Sequence, residues 1–238
     1  MTSEACCKPA PPAVDNAVGK EETVGGLPAY VTGSWESGAA VILVSDIYGK
    51  LWKLADKVAA QGYLVVVPDF LKGDPFTPKN NSNSLEGLRE YWLPKHPPSE
   101  AAQALKAVVE DLKGKGIRYI GAVGFCWGGK VVALAGKDKL FNAIVQMHPS
   151  LADASDYEGL QSSIAVLAAP SDGVEKFIPI LKARNDIEHF VKVYPGVEHG
   201  WTVRYDENDP EAVKKAEEAH TDMLAWLKKH VPTSVNSS

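Results

Sequence analysis

Residues 120–133 read IGAVGFCWGGKVVA, and this stretch decides the fold. Its first half is apolar and β-branched, which is typical of a buried parallel strand, and its second half has helical spacing. Between them lies a G-x-C-x-G pentapeptide centred on Cys126. It matches the G-x-S-x-G nucleophile elbow with a thiol in place of the hydroxyl, and the flanking glycines suit the tight strand-to-helix turn. The alternative is a glycine-lined turn that holds a structural cysteine.

Apolar runs separated by helical patterns predict the rest of the fold. Such alternation indicates βαβ units, so we expect an α/β fold with a mostly parallel sheet of about 7–8 strands and helices on both faces. We expect strands at 29–32, 39–44, 63–67, 120–125, 143–147, 164–168 and 188–194. We expect helices at 51–61, 85–92, 99–113, 174–183 and 210–229, and a further helix that begins at residue 128.

The domain prediction follows from the same pattern. No composition break divides the chain, so residues 21–231 are expected to form one domain. Residues 1–20 are proline-rich and are expected to be a flexible lead-in, and 232–238 a flexible tail.

Composition excludes several classes of protein. The chain has 238 residues, 45% of them hydrophobic and 23% charged, with a net charge of −5. The chain has no cluster of basic residues that would indicate nucleic-acid binding, and no apolar stretch is long enough to cross a membrane. Three cysteines make no disulfide framework, so a cytoplasmic location is predicted. The protein is expected to be a monomer or a weak homodimer. Cys6 and Cys7 are interpreted as part of a disordered tail rather than as a weak metal or lipid site.

A nucleophile, an acid and a base each follow a predicted strand, in that order. Cys126 comes first, Asp172 in P-S-D-G second, and His199 in V-E-H-G third. Reactive groups collect at the carboxyl ends of parallel strands, and this chain order is the one expected of an α/β-hydrolase. The alternatives are that Asp172 is an ordinary turn residue, or that Glu198 is the acid.

Neighbouring residues are assigned supporting roles. The backbone N–H groups of Trp127 and Ile47 are expected to form the oxyanion hole. Asp46 is expected to accept a hydrogen bond from the thiol or to orient it. His148 is interpreted as part of a surface loop, and His220 as a packed residue.

Arg204 is interpreted as a solvated charge, with the binding of an anionic substrate group as the alternative. Trp127 is interpreted either as a core residue or as the roof of the pocket.

The motifs G-F-C-W-G-G, D-I-Y-G, V-V-P-D-F, S-D-G and E-H-G-W resemble those of the dienelactone hydrolase family, from about residue 25 to the end of the last helix. The segment Y-P-G-V-E-H-G-W-T-V-R-Y is similar to its plant and fungal branch, often labelled endo-1,3;1,4-β-glucanase. The resemblance implies a Cys126–Asp172–His199 triad that acts on lactones and small esters. Asp46 stands where bacterial members have a glutamate.

The resemblance also bears on the pocket. The loops after Gly49 and Asp172 look shorter than the family's, which leaves the shape of the substrate open. Arg204, Arg89 and Trp201 are the candidates for substrate binding.

The predicted function is therefore a cysteine-nucleophile hydrolase of small esters or lactones, without a metal or other cofactor. The alternatives are a non-catalytic binding protein of the same fold and, less favoured, a true β-glucanase. Glycoside hydrolysis needs two carboxyl groups that flank the bond, and the sequence proposes no such pair near the elbow.

Overall fold

The computed structural model of the protein describes residues 4–8, 17–77 and 84–233. Eight strands form one sheet in this part of the chain. They are β1 (Lys20–Val24), β2 (Leu27–Thr32), β3 (Ala39–Val44), β4 (Leu64–Pro68), β5 (Tyr119–Phe125), β6 (Ala143–Met147), β7 (Ser163–Ala168) and β8 (His189–Val193).

The strand order is β1-β2-β4-β3-β5-β6-β7-β8. β2 pairs antiparallel with β1 and with β4, and every other pairing is parallel. The apolar runs of β3, β4 and β6 are buried along their whole length, because helices cover both faces of the sheet. The predicted α/β-hydrolase fold is confirmed.

Seven α-helical segments are described, and several include short or irregular turns. They are α1 (Trp52–Ala59), α2 (Leu85–Gly87), α3 (Pro98–Gly114), α4 (Trp127–Ala135), α5 (Ala154–Glu158), α6 (Ile178–Lys182) and α7 (Pro210–His230). A π-helical turn, Leu88–Trp92, continues α2, and a 3₁₀ turn, Val174–Phe177, precedes α6. None of the helices in the described residues is long and apolar enough to cross a membrane.

The core consists of two clusters of buried side chains. One cluster lies between the sheet and helices α3 and α4, and includes Leu105, Val109 and Val131. The other contains side chains of α1 and α7, such as Val58 and Met223. Alternate residues of each strand therefore contribute to opposite clusters, as expected for a sheet covered on both faces.

Two elements have no counterpart in the sequence-based prediction. β1 reads KEETV and is exposed except for Val24, so it has no apolar pattern to reveal it. It is held by main-chain pairing to β2 and by a hydrogen bond from Gly25 N to Asp111 Oδ2 of 2.9 Å. The other is α5, a single turn whose start is a capping box between Asp153 and Asp156.

The chain ends also differ in part from expectation. The N-terminal residues include a 3₁₀ turn, Glu4–Cys7, in which the side chains of Cys6 and Cys7 are buried. This burial contrasts with the disordered tail that was predicted for this pair. Most of the rest of the predicted lead-in, and residues 234–238 of the predicted tail, lie outside the described residues.

The β5–α4 turn is packed too tightly for any side chain at its glycines. A Cβ at Gly124 would lie 2.1 Å from Gly128 O, and a Cβ at Gly128 would lie 2.2 Å from Val44 O. The close approach of α4 to the end of β3 therefore depends on these two residues having no side chain.

We predict that Gly128→Ala lowers the free energy of unfolding by about 3 kcal/mol, because main-chain atoms of β3 must move to admit the methyl group. Urea denaturation measures the loss. Gly114→Ala, at the end of α3 where a Cβ meets nothing within 4 Å, is the control and should leave stability unchanged or raise it by up to about 1 kcal/mol. Equal stability of the two variants would contradict the prediction.

Candidate active site

Cys126 lies at the turn between β5 and α4 with a strained backbone. Its φ of 53° and ψ of −112° are unusual for a residue that carries a side chain. The turn is held by hydrogen bonds from Cys126 N to Met147 O (3.0 Å) and from Ser150 N to Cys126 O (3.1 Å). The Sγ atom is within 3.5 Å of Ser150 Oγ, and the side chain is buried. The strand–turn–helix context expected of a nucleophile elbow is present.

His199 and Asp172 form a buried ion pair beside this turn. His199 Nδ1 lies 2.6 Å from Asp172 Oδ1, and each side chain is only 2% exposed. Asp172 ends the 3₁₀ turn Pro170–Asp172 after β7, and its Oδ2 accepts a hydrogen bond from Ala169 N at 2.7 Å. The carboxylate is thus oriented from two sides. Asp172 is the acid bonded to the histidine, whereas Glu198 is exposed and pairs with Lys8 at 2.8 Å.

Cys6 is a neighbour of the site that was not expected from the sequence. Sulfur atoms of Cys6 and Cys126 and one imidazole nitrogen of His199 all lie within 4.8 Å of one another, and all three residues are buried. Because Nδ1 of His199 is bonded to Asp172, the nitrogen that faces the thiols is Nε2. The only signal for Cys6 in the sequence was the adjacent cysteine pair itself.

The presence of Cys6 changes the protonation of the site. Burial opposes the charged imidazolium, but the bond to Asp172 and the neighbouring thiol of Cys6 outweigh it and raise the pKa of His199 to about 9. The pKa of the Cys126 thiol is raised well above its usual value by the neighbouring thiol of Cys6 and by burial. In this arrangement the thiol of Cys6 competes with the thiol of Cys126 for contact with Nε2 of His199.

Asp46 and Arg204 form a second buried pair. Arg204 Nη1 lies 3.2 Å from Asp46 Oδ2, each side chain is 4% exposed, and Tyr48 N donates to Asp46 Oδ1 at 2.9 Å. The guanidinium also lies over the Tyr48 ring and donates to the carbonyl of Cys6 at 3.3 Å. The interpretation of Arg204 as a solvated charge was wrong. The structure gives Asp46 hydrogen bonds to Arg204 and Tyr48, whereas the thiol lies against Ser150 and Cys6.

His148 is fully buried, so its interpretation as part of a surface loop was wrong. It has a positive φ of 39°, its ring lies 5.1 Å from that of His199, and its Nε2 lies 2.8 Å from Thr202 Oγ1. Burial lowers its pKa well below the usual value, and the charge of His199 adds to this effect. A neutral imidazole therefore packs against the histidine of the site. The position of His148 directly after β6 was the signal that could have identified it.

The other aromatic candidates lie behind or beside the site. Trp201 is buried and packs on His148, with ring centroids 5.5 Å apart. Trp127 is a core residue: its side chain is buried, its Nε1 donates to His96 O at 3.0 Å, and its ring meets that of Trp92.

Two main-chain positions and two further side chains complete the predicted set. Trp127 begins α4 and Ile47 lies on the loop after β3, and an oxyanion hole formed by their N–H groups stays a prediction. Arg89 is exposed on the turn Leu88–Trp92. His220 is packed, as predicted: its Nε2 lies 2.9 Å from Thr202 O, and burial, followed by the charge of Lys57, lowers its pKa to about 4.

A cysteine at a strand–helix elbow beside a buried His–Asp pair, on a sheet of this order, defines an α/β-hydrolase. Residues 27–231 match the dienelactone hydrolase family. The chain therefore belongs to that family. This confirms the resemblance inferred from the motifs and makes the protein a hydrolase of lactone or ester bonds.

Known relatives agree with this assignment. A carboxymethylenebutenolidase homolog from Xenopus tropicalis is 31% identical, over 97% of this chain and 100% of its own length. An endo-1,3;1,4-beta-D-glucanase from Zea mays is 37% identical over 68% of this chain, a match that spans only 54% of the maize protein. A crystal structure of a putative dienelactone hydrolase from Klebsiella pneumoniae shares the fold, with a TM-score of 0.72, 20% identity, and coverage of 90% of this chain and 100% of that one.

We predict that Asp46→Asn costs about 3 kcal/mol of stability, because it removes a buried carboxylate charge that pairs with the guanidinium of Arg204. Thermal or urea unfolding measures the loss. Glu207→Gln, which breaks the exposed pair with Lys53, is the matched control and should cost less than about 1 kcal/mol. If both variants lose the same free energy of unfolding, the Asp46–Arg204 pair does not stabilise the site.

Proposed function

We propose that the protein is a cysteine-nucleophile hydrolase of small esters or lactones that acts through an acyl-enzyme. The observation that carries the proposal is the 2.6 Å bond between His199 Nδ1 and Asp172, which turns the second imidazole nitrogen towards the Cys126 thiol. A nucleophile, a base in reach of it and a group that orients the base are the three parts that covalent acyl transfer needs.

In the proposed reaction, His199 Nε2 takes the proton of Cys126, and the sulfur attacks the carbonyl carbon of the substrate. Backbone N–H groups of Trp127 and Ile47 then stabilise the oxyanion of the tetrahedral intermediate. The imidazolium, paired with Asp172, returns the proton to the leaving alkoxide, which leaves a thioester on Cys126. Water activated by His199 hydrolyses that thioester and restores the thiol.

The turn Glu4–Cys7 has to move before a substrate can react. Cys126 is 1% exposed, and Cys6 lies against both its sulfur and His199. The carbonyl carbon of an ester must reach Sγ of Cys126, so the substrate and Cys6 compete for the space beside that sulfur. The structure therefore represents a closed form of the proposed enzyme.

We expect Cys126→Ala to reduce the turnover of p-nitrophenyl acetate by roughly 10³-fold or more, because the nucleophile is lost. Asp172→Asn should reduce kcat by at least about 10²-fold while the fold is kept, because the imidazole loses the group that sets its tautomer. Cys7→Ala is the control thiol variant and should keep its activity. Full activity in the Cys126→Ala protein would refute the proposal.

The pH profile tests the influence of Cys6. A raised pKa keeps His199 protonated to higher pH, and the base works only when neutral, so activity should rise through about pH 9. Cys6 raises the pKa of both His199 and Cys126. We therefore expect Cys6→Ala to move the acidic limb of kcat/KM to lower pH, and Cys7→Ala to leave it in place. An unmoved limb in Cys6→Ala would show that Cys6 does not contact the reactive histidine in solution.

We do not propose for this chain the β-glucanase activity that the name of the maize relative states. Asp172 is paired with His199 and Asp46 with Arg204, whereas glycoside hydrolysis needs two carboxyl groups across the bond. We expect no release of reducing sugar from mixed-linkage glucan. Release that persists in Cys126→Ala but is lost in Asp46→Asn would reverse this conclusion.

A further inference from the structure

Three side chains that can bind a metal meet at the catalytic centre from three separate parts of the chain. Cys6 comes from the N-terminal turn, Cys126 from the elbow, and His199 from the loop between β8 and α7. Their donor atoms lie within 4.8 Å of one another and all three residues are buried. The proposed acyl transfer uses only Cys126 and His199, so it does not account for Cys6.

The chemistry of this donor set favours a thiophilic divalent cation. Two sulfurs and one imidazole nitrogen are ligands typical of Zn²⁺, which prefers a tetrahedral arrangement. Zinc–sulfur and zinc–nitrogen bonds place neighbouring ligand atoms about 3.5–3.8 Å apart in a tetrahedron, so the donor atoms, which lie within 4.8 Å of one another, need to approach by at most about 1.3 Å. Two thiolates balance the double positive charge, which removes the cost of burying an unpaired charge.

The surroundings of the three residues also fit a metal site. A histidine that binds a metal through one nitrogen usually donates its other N–H to a carboxylate, and His199 does so to Asp172 at 2.6 Å. The N-terminal turn is held beside it by two contacts. Arg204 donates to the carbonyl of Cys6, and Lys8 forms an ion pair with Glu198, the residue before His199.

We propose that Cys6, Cys126 and His199 form an inhibitory binding site for Zn²⁺ or a similar thiophilic cation. Near neutral pH, binding converts the two thiols to thiolates and removes the Nε2 proton of His199, so three protons are released and the neutral imidazole binds through Nε2. A fourth ligand comes from solvent. The cation thereby occupies the nucleophile and the base and fixes the N-terminal turn over them. Inhibition rests on the proposed function, whereas metal binding does not.

The binding test uses Co²⁺ as a spectroscopic probe for Zn²⁺. Co²⁺ is titrated into the metal-free, reduced full-length protein. We expect a thiolate-to-cobalt charge-transfer band with one equivalent, displaced by Zn²⁺, and about three protons released per Zn²⁺ in weak buffer near pH 7. Cys6→Ala should weaken binding by at least about 100-fold, and Cys7→Ala should bind like the wild type. Thermal melting verifies that both variants are folded.

The second readout is inhibition of p-nitrophenyl acetate turnover by Zn²⁺. Wild type and Cys7→Ala should be inhibited at a concentration at least about 100-fold lower than Cys6→Ala. Absence of the charge-transfer band, or equal affinity of wild type and Cys6→Ala, would overturn the metal site. A protein that binds Co²⁺ but shows no esterase activity would instead overturn the proposed function, and an active protein indifferent to Zn²⁺ would overturn only the metal site.

Discussion

The site depends on how closely helix α4 approaches strand β3. Gly128 sits so near the main chain at Val44 and Ser45 that a methyl group there would overlap carbonyl oxygens. Gly124 is constrained in the same way against Gly128. Cys126 lies in this tight turn with a positive φ, which is a strained conformation that the surrounding packing has to maintain. The turn places the thiol beside His199, which is bonded to Asp172.

The charged groups around the thiol are buried and paired within the protein, whereas Nε2 of His199 and Nδ1 of His148 have no hydrogen-bond partner among the described residues. Asp172 is bound by His199 and by a backbone N–H, while Asp46 is bound by Arg204 and Tyr48. Pairing is required here because an isolated charge would be costly at such depth. His148 adds a neutral ring behind His199, since its own protonation is disfavoured by burial and by the neighbouring charge. These contacts orient the histidine.

The N-terminal turn gives this site a feature that the proposed triad does not require. Cys6 lies against Cys126 and His199, where a substrate of the proposed enzyme would bind, and it raises the pKa of both groups. A hydrolase whose proposed nucleophile is covered by its own chain must open before it reacts. The same turn places the thiol of Cys6 where a thiophilic cation would bind. Occlusion of Cys126 and the proposed metal binding therefore both follow from the contact of Cys6 with Cys126 and His199.

The sequence by itself determined the sheet, the elbow and the order of the reactive residues. Buried parallel strands such as 143–147 are continuous apolar runs, and the elbow needs glycines at set positions, so both leave a clear local pattern. Only the tertiary structure decided which polar residues meet. Cys6 and Cys126 are 120 residues apart in sequence, and Asp46 and Arg204 are 158 apart, and no local pattern records such pairings. An exposed strand such as β1 was likewise invisible, because main-chain pairing rather than apolar side chains holds it.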